Sequence, residues 1–267
     1  GLTSYEGLSA SFREAIGQPD VRAILLDIDS SGGEAGGVFD LIEEFQALSK
    51  QYGKPIWAHA NEVACSAAYA IACAASQIWV ARTGIVGSIG VVCAHLDQSR
   101  ADEKHGLKWT FVFEGDHKVH GNSHEPLSDT AQIKMQADCA LLYEMFVDLV
   151  AQNRPLNADA IRDTKAETFI GTQALTLGLA DAQGTLAQAL ETLTDSISQN
   201  PTTTEEGQNT WHAHNTALKK MKRKRLSTSS MTRKRMKTIA TSIKTPKTST
   251  TKMRTKTMRT MKTNAKA

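Results

Sequence analysis

Short apolar runs alternate with amphipathic helical segments through the first half of the chain, and this alternation strongly limits the folds that the sequence can adopt. Residues 21–28, VRAILLDI, form a branched apolar run that is typical of buried parallel strands. Residues 34–50 place their apolar side chains on one helical face. Further strands are predicted at 55–61, at 77–81, within 83–97 and at 107–115. The alternation predicts an α/β fold with a mainly parallel sheet.

Helices are predicted by the same kind of pattern in the rest of the chain. One begins near residue 66, and the others are predicted at 97–106, 128–153, 157–165, 171–178 and 184–197. The uncharged stretch at 63–81 contains eight Ala and few large aliphatic residues, so it predicts a buried helix and strand and no membrane span.

Charge is divided unevenly along the chain. Residues 1–200 hold 13 Lys and Arg against 26 Asp and Glu, whereas residues 201–267 hold 18 against 2. The second part has few large apolar residues, so it cannot bury enough surface to offset the entropy of ordering and is predicted to be disordered. The sequence thus predicts a folded domain at 1–200 and a basic, low-complexity tail at 201–267.

Two interpretations of this tail stay open. Clustered Lys and Arg contact phosphates without sequence specificity, so residues 201–267 predict a weak nucleic-acid contact. The monotony of Lys, Arg, Met and Thr is also what an acidic tail translated out of frame would produce. In the second case the tail has no function.

Cysteine usage indicates the compartment. Cys65, Cys73, Cys93 and Cys139 show no C-x-x-C spacing. A chain of this size does not need disulfides to be stable, so free thiols in a reducing compartment are predicted. No secretory signal pattern precedes the folded part. These observations predict a cytoplasmic protein.

Three separated segments carry residue types that suit catalysis. The segment at 29–33, DSSGG, ends the first strand, where ligands gather in open α/β sheets, and its glycines expose amides that suit an oxyanion hole. Ser66 follows the second strand at a predicted helix start, which favours developing negative charge but also suits an ordinary N-cap. Lys118 lies in a loop rich in His and Gly, and a lysine that is desolvated enough to be neutral can act as a general base.

Other nucleophiles and ligand sets have weaker patterns. Cys65 adjoins Ser66, but a Cys packed among Ala is usually an inert core residue. His117, His120 and His124 share one loop, yet no carboxylate or Cys pattern completes a metal site there. No metal and no cofactor are therefore predicted. A Ser–His or Cys–His pair stays an alternative.

Five segments, taken in order, resemble the signal peptide peptidase A family of Ser–Lys peptidases, and within it the phage capsid assembly (prohead) proteases. These segments are DIDSSGGEAGGVFDL, KPIWAHANEVACSAAYAIACAAS, TGIVGSIGV, GLKWTFVFEGDHKVHGNSHEPLSD and FIGTQALTLGLAD. The resemblance covers about residues 1–195. It implies a Clp protease/crotonase-like α/β fold of stacked ββα units that assembles as a homo-oligomer.

The resemblance also implies residue roles. Ser66 matches the family's nucleophile and Lys118 its general base. Gly33 matches the oxyanion-hole donor, and Ser88 matches a hydroxyl that helps to position the lysine. The family's usual motif is Ser-Pro-Gly-Gly, and this chain has Ser31 where the motif has proline. The replacement removes a restraint on φ and keeps both glycines.

The predicted function is that of a serine endopeptidase with a Ser–Lys dyad. We expect a phage or prophage head maturation protease that cleaves scaffold or capsid proteins in the bacterial host cell or inside proheads. Neutral Lys118 would take the Ser66 proton, the alkoxide would attack a peptide carbonyl, and the Gly33 amide would stabilise the oxyanion. Three alternatives stay open: a crotonase-like acyl-CoA enzyme, a catalytically inactive structural capsid component, and a nucleic-acid-binding protein.

Overall fold

The structure is a computed structural model that describes residues 3–199 of the 267-residue chain. Its strands are β1 Ile24–Ser30, β2 Ile56–Cys65, β3 Gln77–Val80, β4 Ile85–Gly87, β5 Thr168–Ile170 and β6 Ala182–Gln183. Its helices are α1 Tyr5–Gly17, α2 Val38–Tyr52, α3 Ala67–Ala72, α4 Ser99–Lys104, α5 Asp129–Asn153, α6 Ala158–Asp163, α7 Thr172–Thr176 and α8 Leu186–Gln199. The basic tail predicted from residue 201 and the boundary before it lie outside the described residues.

Strand β2 organises the sheet, because it pairs in parallel with three other strands. Its first half lies between β1 and β3, and its second half pairs with β4. Strand β6 continues the sheet in parallel beyond β3, while β5 pairs antiparallel with β4. The β1–β2 register shifts between Ile28 and Ser30, and an irregularity of this kind bends a strand. The predicted α/β class with a mainly parallel sheet is confirmed.

The apolar core lies between this sheet and the helices that pack on it. Phe12 of α1 stacks on Phe45 of α2, with ring centroids 3.8 Å apart. Tyr69 of α3 is completely buried, and its hydroxyl donates a hydrogen bond to the Leu179 carbonyl oxygen at 2.8 Å. The other residues of α3 are mostly Ala, whose small side chains allow the helix to pack closely on β1 and β2. The junction between β2 and α3 is therefore held on several sides.

Helix α5 is the longest helix of the described part of the chain, with 25 residues. Just beyond its end, the buried side chain of Arg154 donates hydrogen bonds to both carboxylate oxygens of Asp181 at 2.8 and 2.9 Å. Asp181 also accepts a hydrogen bond from the Ile78 amide at 2.7 Å, so the ion pair ties α5 to β3. Among residues 3–199, no helix combines the length and the apolar character that a bilayer crossing requires.

Two strand predictions are wrong. Residues 107–115 form no strand, and the chain after β4 enters irregular structure instead of a strand through residue 97. Both segments have the β-branched and aromatic composition of strands, but composition does not supply a neighbouring strand with which to pair. Helix α1 and the strands β5 and β6 were not predicted. The two strands have only two or three residues, too few for an alternating pattern to be recognised.

Candidate active site

Ser66 lies between β2 and α3 in a backbone conformation that residues other than glycine rarely adopt. Its φ is 52° and its ψ is −126°. The amide of Ser66 donates a hydrogen bond to the Gly87 carbonyl oxygen at 2.9 Å, and its carbonyl oxygen accepts one from the Ala70 amide at 3.0 Å. Ser66 occupies the N-cap position, but its hydroxyl makes no capping hydrogen bond. A constrained strand-to-helix turn of this kind suits a nucleophile, and backbone strain of this type clusters at active sites.

Gly32 packs so closely against this turn that no larger residue fits. Its φ is 119°, and a Cβ atom added there would lie 2.7 Å from the Ser66 Cβ and 3.0 Å from the Cys65 carbonyl oxygen. The Gly32 amide donates a hydrogen bond to the Ser30 Oγ at 3.2 Å, which forms a local turn around Ser31, the residue that replaces the proline. The first glycine of the Gly-Gly pair thus lies directly against Ser66.

Gly33 lies at the edge of the same site with its amide available. The Gly33 amide has no hydrogen-bond partner among the described residues, as an oxyanion-hole donor requires before substrate binds. The Tyr5 hydroxyl donates a hydrogen bond to the Glu34 carbonyl oxygen at 2.5 Å, so α1 supports the loop that carries Gly33. This contribution of α1 was not predicted, because a single Tyr in a helix carries no signal in the sequence.

A cleft of about 180 Å³ opens beside Ser66 and Gly33. Apart from these two residues and Glu34, most of its lining is small or apolar. These residues come from the start of α2, from α3, from the segment after β4 and from α5: Ala35, Val38, Phe39, Ala67, Ala70, Gly90, Val91, Val92 and Phe146. The cleft therefore suits a small or apolar side chain next to Ser66.

Ser88 directly follows Gly87, the residue whose carbonyl oxygen accepts the Ser66 amide hydrogen bond. Gly87 pairs with Cys65 in the β2–β4 register and accepts the Ser66 amide hydrogen bond. Ser88 itself has a φ of 53° and donates its amide to the Glu167 carbonyl oxygen at 2.8 Å. Ser66 and Ser88 both have a positive φ, and they come from separate predicted motifs. They lie at the same end of the paired strands β2 and β4.

Lys118 is not brought to Ser66. It is exposed in a turn in which its amide donates to the Gly115 carbonyl oxygen at 3.0 Å, and it does not line the cleft. Its ammonium group makes no hydrogen bond to another described residue. The turn is anchored further along, where the His124 Nδ1 lies 2.7 Å from the Asp102 Oδ2 of α4. The structure therefore places Ser66 and Gly33 on one cleft and Ser88 next to the residue that bonds the Ser66 amide, and it leaves Lys118 outside the cleft.

The competing nucleophile and ligand sets do not assemble. Cys65 is buried, its thiol donates to the Ile85 carbonyl oxygen at 3.8 Å, and burial raises its pKa, which disfavours the reactive thiolate. His59 is buried against the Gly184 carbonyl oxygen, at 2.9 Å from its Nε2. His117 and His120 contact each other at 3.4 Å. Within residues 3–199, no three His, Cys, Asp or Glu side chains come together in a way that would hold a metal ion.

Comparison with protein families gives one match over most of this region. The sequence profile of peptidase family S49 matches residues 48–200, a range that includes Ser66, Ser88 and Lys118. A solved structure of a membrane-bound stomatin-specific protease in complex with a substrate peptide covers 70% of this chain and 74% of its own. It is 16% identical, with a TM-score of 0.46.

Two phage proteins are among the curated proteins similar to this chain. It is 36% identical over 200 residues to the head-tail preconnector protein GP5 of Enterobacteria phage P21, which covers 75% of this chain and 40% of that protein. It is 35% identical over 197 residues to the capsid assembly protease C of Escherichia phage lambda, which covers 74% and 44%. The aligned part of the chain thus spans about two fifths of the length of these relatives.

Proposed function

The chain belongs to peptidase family S49, and on that premise we propose that it is a serine endopeptidase in which Ser66 is the nucleophile. The observation that carries this proposal is the strained turn at Ser66, which lies against Gly32 and opens on a cleft that the unpaired Gly33 amide also lines. Acyl transfer to a serine needs an exposed hydroxyl, a donor for the oxyanion and space for the acyl group, and the turn, the Gly33 amide and the cleft can supply these three.

The proposed reaction has two acyl-transfer steps. The Ser66 hydroxyl attacks the carbonyl carbon of a peptide bond while Lys118, in its neutral form, takes the hydroxyl proton. The Gly33 amide donates to the oxyanion of the tetrahedral intermediate, and the Lys118 ammonium then protonates the leaving amine. Water repeats the sequence on the ester formed at Ser66. Ser88 helps to position the lysine when it is engaged.

Engagement of Lys118 requires the loop that carries it to move over the cleft. A lysine must be neutral to act as a general base, and a covering surface that excludes water favours the neutral amine. We propose that a bound substrate or a neighbouring copy of the chain covers the loop and provides this desolvation. The exposed position of Lys118 supports a dyad that forms only once the loop is covered.

The phage relatives point to the substrate class. One is called a capsid assembly protease and the other a head-tail preconnector protein. We propose that this chain likewise cleaves scaffold or capsid proteins of a phage or prophage head inside the bacterial host cell. The match to a peptidase family favours this function over the crotonase-like and inactive alternatives. A weak nucleic-acid contact through residues 201–267 stays a proposal, which loss of salt-sensitive DNA binding on their deletion would support.

Acid trapping of the acyl-enzyme tests the nucleophile directly. The full chain is mixed with a peptide ester whose acyl residue is Ala, quenched in acid within the first turnovers, and digested for mass spectrometry. We expect the mass of the acyl group on the peptide that contains Ser66, because an activated ester acylates the enzyme faster than water releases it. Acylation at the adjacent Cys65, or at no residue while the ester is still hydrolysed, would contradict the proposal.

We further propose that the chain forms a homo-oligomer through residues 107–113, which we call the unpaired segment. Leu107, Trp109 and Val112 in it are 56, 53 and 96% exposed. Among the described residues, residues 108–113 make no backbone hydrogen bond. An exposed and apolar stretch without backbone hydrogen bonds favours pairing with another chain, and the same segment of a second copy has matching chemistry.

Charges placed on this segment should separate the copies. In the full chain, the double substitution Leu107→Glu with Val112→Glu is expected to reduce the mass measured by light scattering to that of a monomer. Burial of two carboxylates in an apolar interface is strongly unfavourable. The matched control is Leu190→Glu on α8, since Leu190 is 52% exposed but lies outside the segment. A wild-type chain that is already monomeric, or a double variant of unchanged mass, would contradict the proposed interface.

A further inference from the structure

Cys93 and Cys139 form a pair of thiols in the folded chain although 46 positions separate them in sequence. The Cys139 thiol donates a hydrogen bond to the Cys93 sulfur, and the two sulfur atoms are 2.8 Å apart. A disulfide bond is about 2.05 Å long. The two sulfur atoms would therefore need to approach by only about 0.8 Å to become bonded.

The two cysteines lie on two segments that also form walls of the cleft. Cys93 directly follows Val91 and Val92, which line the cleft after β4. Cys139 is on α5, and Phe146, which also lines the cleft, lies two helical turns further along that helix. A bond between the two sulfur atoms would join these two walls. It would also close the base of the stretch at 94–138, which contains Lys118.

We propose that Cys93 and Cys139 are a modification site at which a reversible disulfide forms and links the segment after β4 covalently to α5. The other two cysteines lack this chemistry. Cys65 and Cys73 are buried, and burial raises the pKa of the Cys73 thiol to about 12. Cys93 is exposed and Cys139 is half-buried, so a small disulfide reagent can reach the pair.

The oxidant is a low-molecular-weight disulfide such as glutathione disulfide, and the exchange balances in two steps. The Cys93 thiolate attacks one sulfur of the reagent, and one glutathione leaves as its thiolate. The Cys139 thiolate then attacks the Cys93 sulfur of this mixed disulfide and releases the second glutathione. Two protein thiols are oxidised, one disulfide reagent is reduced, and the two protein protons go to the two glutathione thiolates. In a reducing compartment the equilibrium favours the thiols.

The rate of closure should rise with pH. The pKa of Cys93 is raised, first because its neutral thiol donates the shared hydrogen bond whenever Cys139 is the thiolate, and further by slight desolvation and by the nearby negative charge of Asp138. Exchange requires the thiolate, so a raised pKa moves the fast range of pH upward. Lys134 is paired with Asp138 on the same helix and offsets part of the negative charge of that carboxylate.

The full-length chain is equilibrated with glutathione disulfide, and free thiols are counted after denaturation with a chromogenic thiol reagent. We expect the count to fall from four to two, with a Cys93–Cys139 link in the digest, no linked dimer on a non-reducing gel, and faster loss at pH 9 than at pH 7. The link should raise Tm by roughly 5 °C or more, because it closes a long loop, and dithiothreitol should reverse the rise.

Cysteine variants distinguish formation of the Cys93–Cys139 disulfide from other reactions of the thiols. Cys93→Ser and Cys139→Ser should each form no internal link and show no rise in Tm, whereas Cys73→Ala should still lose two thiols. Four thiols that persist, glutathione held at Cys93 without a link, or a link between two chains would each overturn the proposal. None of these measurements depends on peptidase activity, so the pair is tested even if the proposed function fails.

Discussion

Replacement of Ser66 by Ala is expected to reduce the turnover number for peptide cleavage at least about 10³-fold, because loss of a serine nucleophile leaves only the contribution of binding and oxyanion stabilisation. The fold should remain, since Ala has nearly the same backbone preferences and the Ser66 hydroxyl makes no capping hydrogen bond. The measurement is the rate of casein cleavage by the full chain at saturating substrate, with circular dichroism as the check on folding.

Lys118→Ala should produce a loss of similar size if Lys118 is the general base. The double variant should then be no slower than either single variant, because residues that act as one catalytic unit show strongly non-additive effects. Lys104→Ala is the matched control, since Lys104 is an exposed lysine at the end of α4 in the same part of the chain. Full activity of Lys118→Ala would show that another group takes the Ser66 proton. Cleavage that survives both substitutions would remove the Ser–Lys assignment.

Gly32→Ala is expected to have the second-largest effect, on stability and on catalysis together. The added Cβ would lie 2.7 Å from the Ser66 Cβ, and the φ of 119° is strained for any residue with a side chain. Overpacking and backbone strain together should lower the free energy of unfolding by about 3 kcal/mol, and hence Tm by roughly 10 °C. Displacement of the Ser66 turn should lower the turnover number at least about 10²-fold.

Gly36→Ala is the control within the same loop. No atom lies within 4 Å of a Cβ added at Gly36, so this variant should keep both its Tm and its activity. The comparison distinguishes close packing at the nucleophile from a general need for a flexible, glycine-rich loop. A Gly32→Ala variant as stable and active as Gly36→Ala would contradict the packing argument.

Local patterns predicted much of the fold. The apolar runs that became β1, β2 and β3 and the amphipathic helix α2 were recognisable because their apolar patterns reflect burial on both faces or on one. The strand at 107–115 was predicted wrongly, since Trp109 and its neighbours have strand composition but no neighbouring strand among the described residues. Whether a strand forms depends on a neighbouring strand that is distant in sequence, and a local pattern carries no information about such a neighbour.

The sequence by itself determined the α/β class, the identities of the catalytic candidates and, through the order of five motifs, the likeness to Ser–Lys peptidases. Only the tertiary structure decided which candidates meet. It places Ser66 in a left-handed turn against Gly32, with Gly33 on the same cleft and Ser88 beside the bond that holds the turn, and it leaves Lys118 in solvent. It also brings together Cys93 and Cys139, which no spacing rule connects. The physical reason is that residue type and periodicity are local properties, whereas distance between side chains depends on how remote segments pack.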